Sequence, residues 1–202
     1  MKVGPFAAQM KYLVAGALVL GAFGPLQAGA QHDQSHTLMP QHQQPSPDPK
    51  QAGAFVKLVR ESTERFRDVA VAEAEGYVLQ FGCVSGSDSG AMGLHFVKGS
   101  LVGDAVLDPT RPEILIYEPT PSGRLRLTGA DYLVFAETWH QANGAGTPQL
   151  MGQLLHLFES PNRFGLPSFY TLHVWAWKDN PNGAFVNWHP QVSCDAFSGQ
   201  TP

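Results

Sequence analysis

Between Ala52 and Glu75 the apolar positions Phe55, Leu58, Val59, Phe66, Val69 and Ala70 recur three and four residues apart, with charges between them. That is the period of an amphipathic helix, and Gly76 stands where such a helix stops. Beyond it the apolar residues come in short runs separated by Gly, Pro, Asn and Asp. YVLQFGCV (77–84), LHFV (94–97), EILIYEP (113–119) and the start of GRLRLTGADYLVFA (123–136) read as strands. GQLLHLFE (152–159) and FYTLHVWAW (169–177) are apolar strands separated by the turn SPNRFGLP. SGSDSGAMG (85–93) is a Gly-rich connection, ETWHQANGAGTPQL (137–150) a loop with a helical turn, and GAFVNWHPQVSC (183–194) closes the fold. The pattern predicts an α+β single domain: one N-terminal helix packed on a largely antiparallel sheet of about six strands.

The segments before that domain have other signatures. Lys2 and Lys11 flank the apolar run YLVAGALVLGAFGPL, and the small residues Ala28–Gly29–Ala30 follow, as in a signal peptide cleaved between Ala30 and Gln31. Residues 1–30 are thus expected to be removed, leaving a secreted or periplasmic protein without a membrane anchor. Residues 31–50 hold Gln, His and Pro with almost nothing apolar, the composition of a disordered tail. Within it His32, His36, His42 and Met39 have the donor types that catch a soft metal such as copper, although a polar spacer explains them as well. The domain is then 51–202. The chain has 13 basic and 17 acidic residues; without Lys2 and Lys11 the mature part has 11 against 17, a net of −6. A mildly acidic chain with no basic stripe is a poor partner for nucleic acid or anionic lipid. The oligomeric state is left open by all of this. Cys83 and Cys194 are the two cysteines, without CxxC spacing, and in an oxidising compartment they are expected to form a disulfide.

The chain has no HExxH, GxSxG, P-loop or dinucleotide-binding fingerprint. What remains is a set of ionisable residues in or at the end of apolar strands: His95, Glu118, His156 and His173. Alternation places Glu118 on the face of Ile114 and Ile116, so its carboxylate belongs at the sheet rim, beside a cation or on a metal. Three neutral imidazoles and one carboxylate converging on one point would suit a divalent transition metal, with zinc, manganese, iron or copper all compatible. Each histidine alone reads equally as a satisfied core or rim residue. Trp175 and Trp177, two apart on one predicted strand, form either an aromatic platform for a small ligand or part of the core. His140 and His189, each beside a tryptophan in a turn-like segment, are expected at the surface.

The stretches AVAEAEGY (70–77), GAMGLHFV (90–97), LDPTRPEILIYEP (107–119) and FGLPSFYTLHVWAWKDNPNGAFVNWHPQVSC (164–194) resemble a group of exported bacterial proteins without an assigned activity. The resemblance covers most of residues 66–194; it implies secretion and a bacterial origin, and no reaction. Three functional expectations follow from the residues. The first is an exported protein with a mononuclear metal site of His95, His156, His173 and Glu118. The second is a small-molecule binding module with an aromatic-lined pocket, and the third a disulfide-stapled domain with no site.

Overall fold

The computed structural model describes residues 48–86 and 88–199. The expected signal peptide and His32, His36, Met39 and His42 of the expected tail lie outside the described residues. The tail's last residues do not, and Pro49 and Lys50 open a helix where a disordered tail was expected to run to residue 50.

Helix α1 spans Pro49–Thr63, slightly earlier than the apolar period predicts, because Asp48 caps it by accepting from the Lys50 amide and Pro49 opens it. The single predicted helix is in fact broken. Thr63 turns its hydroxyl back onto the Val59 carbonyl at 2.6 Å, a 3-10 turn follows over Glu64–Arg67, and Asp68 leaves the helical region to cap a second helix, α2, Val69–Ala74. The break lets Phe66 pack edge-on against Tyr77, at 5.3 Å between ring centres, while Phe55 and Val59 bury from α1.

The strands follow as β1 (Val78–Gly86), β2 (Gly90–Val97), β3 (Ile114–Pro119), β4 (Leu125–Phe135), β5 (Gln149–Leu150), β6 (Gln153–Leu154), β7 (His156–Phe158) and β8 (Phe169–Val174). Two short helices intervene, α3 (Gly99–Val102) and α4 (Ala136–Asn143). The main sheet has the order β1-β2-β3-β4-β8-β7, with every neighbouring pair antiparallel. β5 and β6 form a separate two-stranded ribbon. Four predicted stretches differ from this. SGSDSGAMG, expected as a connection, instead supplies the end of β1 and the first half of β2, paired Gly86 to Gly90. The run 152–159 divides at Leu155, which is buried and donates its amide to Pro148 O. The tryptophan-rich strand stops at Val174, because the Trp175 amide turns to Ala184 O and the Trp177 amide to Thr128 O. The closing segment makes no strand; its only β-type pairing with the sheet among the described residues is one bridge, Ala91 to His189.

Alternation sorts β4 and β8 into two faces. Ala130, Tyr132, Val134, Tyr170, Leu172 and Val174 pack with Phe55 and Val59 under α1. The intervening residues, among them Asp131, Leu133, Thr171 and His173, point to the far face. No long helix lies there. Phe164, Leu166 and the segment beyond Trp175 cover it instead, with Ala91, Trp175 and Val192 in one small buried cluster.

Cys83 and Cys194 are joined, 5.7 Å between Cα atoms and 111 residues apart in sequence. Among the described residues no helix is long and apolar enough to cross a membrane. A bridge closing so long a loop removes much of the freedom of the unfolded chain. The Cys83→Ser/Cys194→Ser variant is therefore expected to lose about 4 kcal/mol in urea unfolding. Equal midpoints and slopes for the two proteins would mean that the closing segment is held by its other contacts alone.

Candidate functional site

The far face of the sheet concentrates buried polar groups. In the pairing register, Ile114 of β3, Asp131 of β4 and His173 of β8 stand in one row. Thr171 stands across from Leu133 in the next row, and His95 of β2 faces Ile116. His95 and Asp131 are each 5 % exposed and His173 is 1 % exposed.

His95 is oriented by its own strand. Its Nδ1 lies 3.1 Å from the carbonyl of Gly93, so Nδ1 carries the proton and donates, which leaves Nε2 as a bare acceptor. Gly93 has φ +110°, and a Cβ there would stand 2.5 Å from Tyr117 O, so only glycine brings that carbonyl into place. Burial pushes the His95 pKa down to about 4, against a smaller upward pull from the Gly93 carbonyl. Burial pushes Asp131 the other way, up to about 7, although the Thr171 hydroxyl and the Leu172 and Tyr132 amides all hydrogen-bond its carboxylate. Near neutral pH the pair is an imidazole that stays neutral beside a carboxyl able to hold or release a proton.

His95, Asp131 and Thr171 open onto one cavity of about 30 Å³, room for about one water. Its other walls are largely apolar and include Phe81, Phe158, Phe164 and Phe169. Phe81 sits in the β1 bulge at φ +62°, a conformation bulky residues seldom adopt, and its ring meets Phe164 edge-on at 5.4 Å. Phe158 stacks on Phe169 at 5.3 Å. Two larger grooves adjoin. One of about 430 Å³ shares Phe81, Ile114, Leu133 and Leu166 with the cavity, and one of about 740 Å³ shares Phe158 and Asn187.

His173 lies behind this chamber. Its ring is tilted against Trp175 at 4.3 Å, and neither ring nitrogen has a hydrogen-bond partner. Burial holds its pKa well below the ordinary value, and the nearby His95 and His189 lower it further.

The four candidate metal ligands do not converge. Among the described residues no three His, Cys, Asp or Glu side chains are grouped as a metal would need. His95 and His173 share the far face, but Glu118 is spent on ion pairs at its rim. Arg126 bonds one carboxylate oxygen, and the Lys178 ammonium lies 2.9 Å from the other. Burial raises the Glu118 pKa, but the hydrogen bonds from Arg126 and Lys178 outweigh it and hold the group below the ordinary value. His156 stands opposite Thr171, yet on edge strand β7 it is exposed and lines the 740 Å³ groove. The two tryptophans of the predicted platform part company. Trp175 is buried and donates its indole N–H to Val186 O, whereas Trp177 turns toward α1 and donates to Thr63 Oγ1. They do not share a face, since the strand ends at Val174 and both follow it in irregular chain. His140 is exposed, its Nε2 3.1 Å from the Tyr170 hydroxyl. His189 is buried rather than at the surface, with Nε2 donating to Asp179 O and Nδ1 accepting from the Gln191 amide.

Asp131 and Thr171 are the site residues that the strand pattern alone does not single out. The signal for Asp131 was a carboxylate in the apolar run TGADYLVF, the same signal that marks Glu118. Glu113 is a second such group: it is buried, its carboxylate accepts from the Leu133 amide, and burial lifts its pKa to about 8. No family model, no curated protein and no solved structure matches the chain, so what the site can do is decided by its own residues.

Two outcomes follow from these groups. Asp131 has an ordinary pKa of 3.8 and a folded value of about 7, so the native state holds the proton more tightly and loses stability as pH rises across that interval. His95 has the opposite slope between 6.5 and about 4, losing stability as pH falls. Asp131→Asn removes only the first slope. Its stability relative to wild type is expected to improve by about 2–3 kcal/mol from pH 5 to pH 8 in urea unfolding; a pH-independent difference would contradict it. For His173, two unpartnered buried nitrogens cost about 1–3 kcal/mol. His173→Phe is accordingly expected to match or exceed wild-type stability, and a loss above about 2 kcal/mol would mean that the ring is hydrogen-bonded after all.

Proposed function

We propose that the chain is an exported small-molecule-binding module whose ligand sets a hydrogen-bond donor on His95 Nε2 and its apolar body among the phenylalanine rings. The observation that carries this reading is the shared cavity: His95 and Asp131, on strands separated by β3, both open onto one apolar chamber. Export is supported by the leader-like residues 1–30 and by a disulfide, which persists in oxidising compartments. A metal centre has less support, because Glu118 is held in ion pairs and His156 lines the 740 Å³ groove instead of this chamber.

The walls define the ligand. Nε2 of His95 only accepts, so the ligand brings an O–H or N–H. No lysine or arginine lines the chamber to balance an anion, so the ligand is neutral. The chamber as it stands fits a water; a larger body enters when the side chains shared with the two grooves turn aside, Phe81 and Phe158 above all.

Benzyl alcohol and toluene test this, because they differ by the donor. At about ten times its Kd, benzyl alcohol is expected to stabilise the protein by about 1.4 kcal/mol, or roughly 3–6 °C in Tm. Toluene is expected to do less, and the difference between the two to vanish in His95→Leu. No rise in Tm with either compound, or an equal rise that His95→Leu leaves untouched, would overturn the reading.

A further inference from the structure

The 740 Å³ groove has a chemistry unlike the chamber it adjoins. Its centre is Trp188. Of the four tryptophans, Trp139, Trp175 and Trp177 each donate the indole N–H to a protein acceptor, Gly146 O, Val186 O and Thr63 Oγ1 respectively. Among the described residues Trp188 has no such acceptor and stacks on no other aromatic ring. It is nonetheless held firmly. Its indole lies over Gly86 of β1, so close that a Cβ there would stand 3.3 Å from ring atoms Cδ2 and Cε3. Its carbonyl accepts from the Asn180 side chain at 2.9 Å, and the adjacent His189 is tied to Ala91 by two backbone hydrogen bonds.

Around this half-buried ring the groove collects hydrogen-bonding groups that the protein does not use. The Asn182 and Asn187 amides, the Asp88 carboxylate and the His156 imidazole all line it, and none has a side-chain hydrogen-bond partner among the described residues. No lysine or arginine lines it. A rigid aromatic face, flanked by planar amides and a carboxylate that can each reach adjacent hydroxyls, matches a molecule with apolar C–H faces and a hydroxylated edge. We propose that this groove is a binding site for neutral carbohydrate, with Trp188 as the stacking platform and Asn182, Asn187, Asp88 and His156 as partners of the sugar hydroxyls. Missing cations set the preference for neutral over sulfated or uronic sugars. The site is separate from the chamber, which it meets only at Phe158 and Asn187, and stands whether or not the chamber binds a ligand.

Three neutral disaccharides, maltose, cellobiose and N,N′-diacetylchitobiose, serve as probes, titrated up to their solubility and followed by tryptophan fluorescence and calorimetry. At least one is expected to bind saturably. Trp188→Ala should weaken that binding about tenfold or more, equal to 1.4 kcal/mol, whereas Lys57→Ala, at an exposed position on α1 outside groove and chamber, should leave it unchanged. Asn182→Ala lies at an exposed position and should weaken binding severalfold, which keeps the test valid if Trp188→Ala fails to fold. Saturation with none of the three sugars overturns the proposal. So does wild-type affinity in both the Trp188 and Asn182 variants.

Discussion

Among the described residues the far face of this sheet has no long helix to cover it, only Val102 of the one-turn α3, and most of what is unusual in the molecule follows from that. The α1 face is closed by the ordinary device of an amphipathic helix, whose Phe55 and Val59 fit over β4 and β8. The other face is closed by chain without regular structure, from Trp175 to Cys194, and such chain brings unsatisfied backbone groups that must be paired one by one. They are: Trp175 to Ala184, His189 to Ala91, and the Lys178 ammonium to Gln191 O. The disulfide pins the far end of that cover to β1.

A cover of this kind encloses polar side chains that a helix would have excluded. His95, Asp131 and His173 sit between a sheet and a set of loops, where water is excluded but hydrogen-bond partners are few. Each answers with a proton equilibrium displaced toward its neutral form. The three differ in how well they are satisfied. Asp131 accepts from Thr171 and two amides, His95 uses one nitrogen and keeps one, and His173 uses none. An unspent acceptor facing a cavity invites a ligand. An unspent ring with no cavity beside it is only a cost, which makes His95 the better anchor although His173 lies in the more conspicuous stretch of sequence.

The period of the apolar residues was enough to place α1 and part of every strand of the main sheet, because alternation survives even in short runs; the Gly-rich first half of β2 carried no such period and read as a connection. Details governed by single side chains were not visible in that period: Thr63 bonding back to Val59 and splitting the helix, or the Trp175 amide leaving β8 for Ala184. The pairing of Cys83 with Cys194 could be read from compartment and count. The site could be read only in part. His95 and His173 stood out as ionisable groups in apolar strands, but their relation depends on β8 lying against β4, a register that no local pattern encodes. Glu118 carried the same signal and proved to be a rim ion pair, since Lys178 and Arg126 are supplied by other parts of the chain. Trp188 gave no sign in the sequence of differing from its three fellows; the difference is a missing acceptor, and that is a property of the folded neighbourhood.

The span of the disulfide also sets an order of events. Cys83 lies early in the sheet and Cys194 is 111 residues later, so the bond cannot form until nearly the whole domain is present under oxidising conditions. Among the described residues the helices and all the strands lie before Trp175, so the segment from Trp175 to Cys194 belongs to the last part of the domain in sequence. The bond therefore ties the last part of the chain to one of the first strands. Of the residues lining the chamber only Asn187 comes from that last part, so the cover fastened by the disulfide closes one side of a chamber whose other walls the sheet and the turn carrying Phe164 and Leu166 already supply.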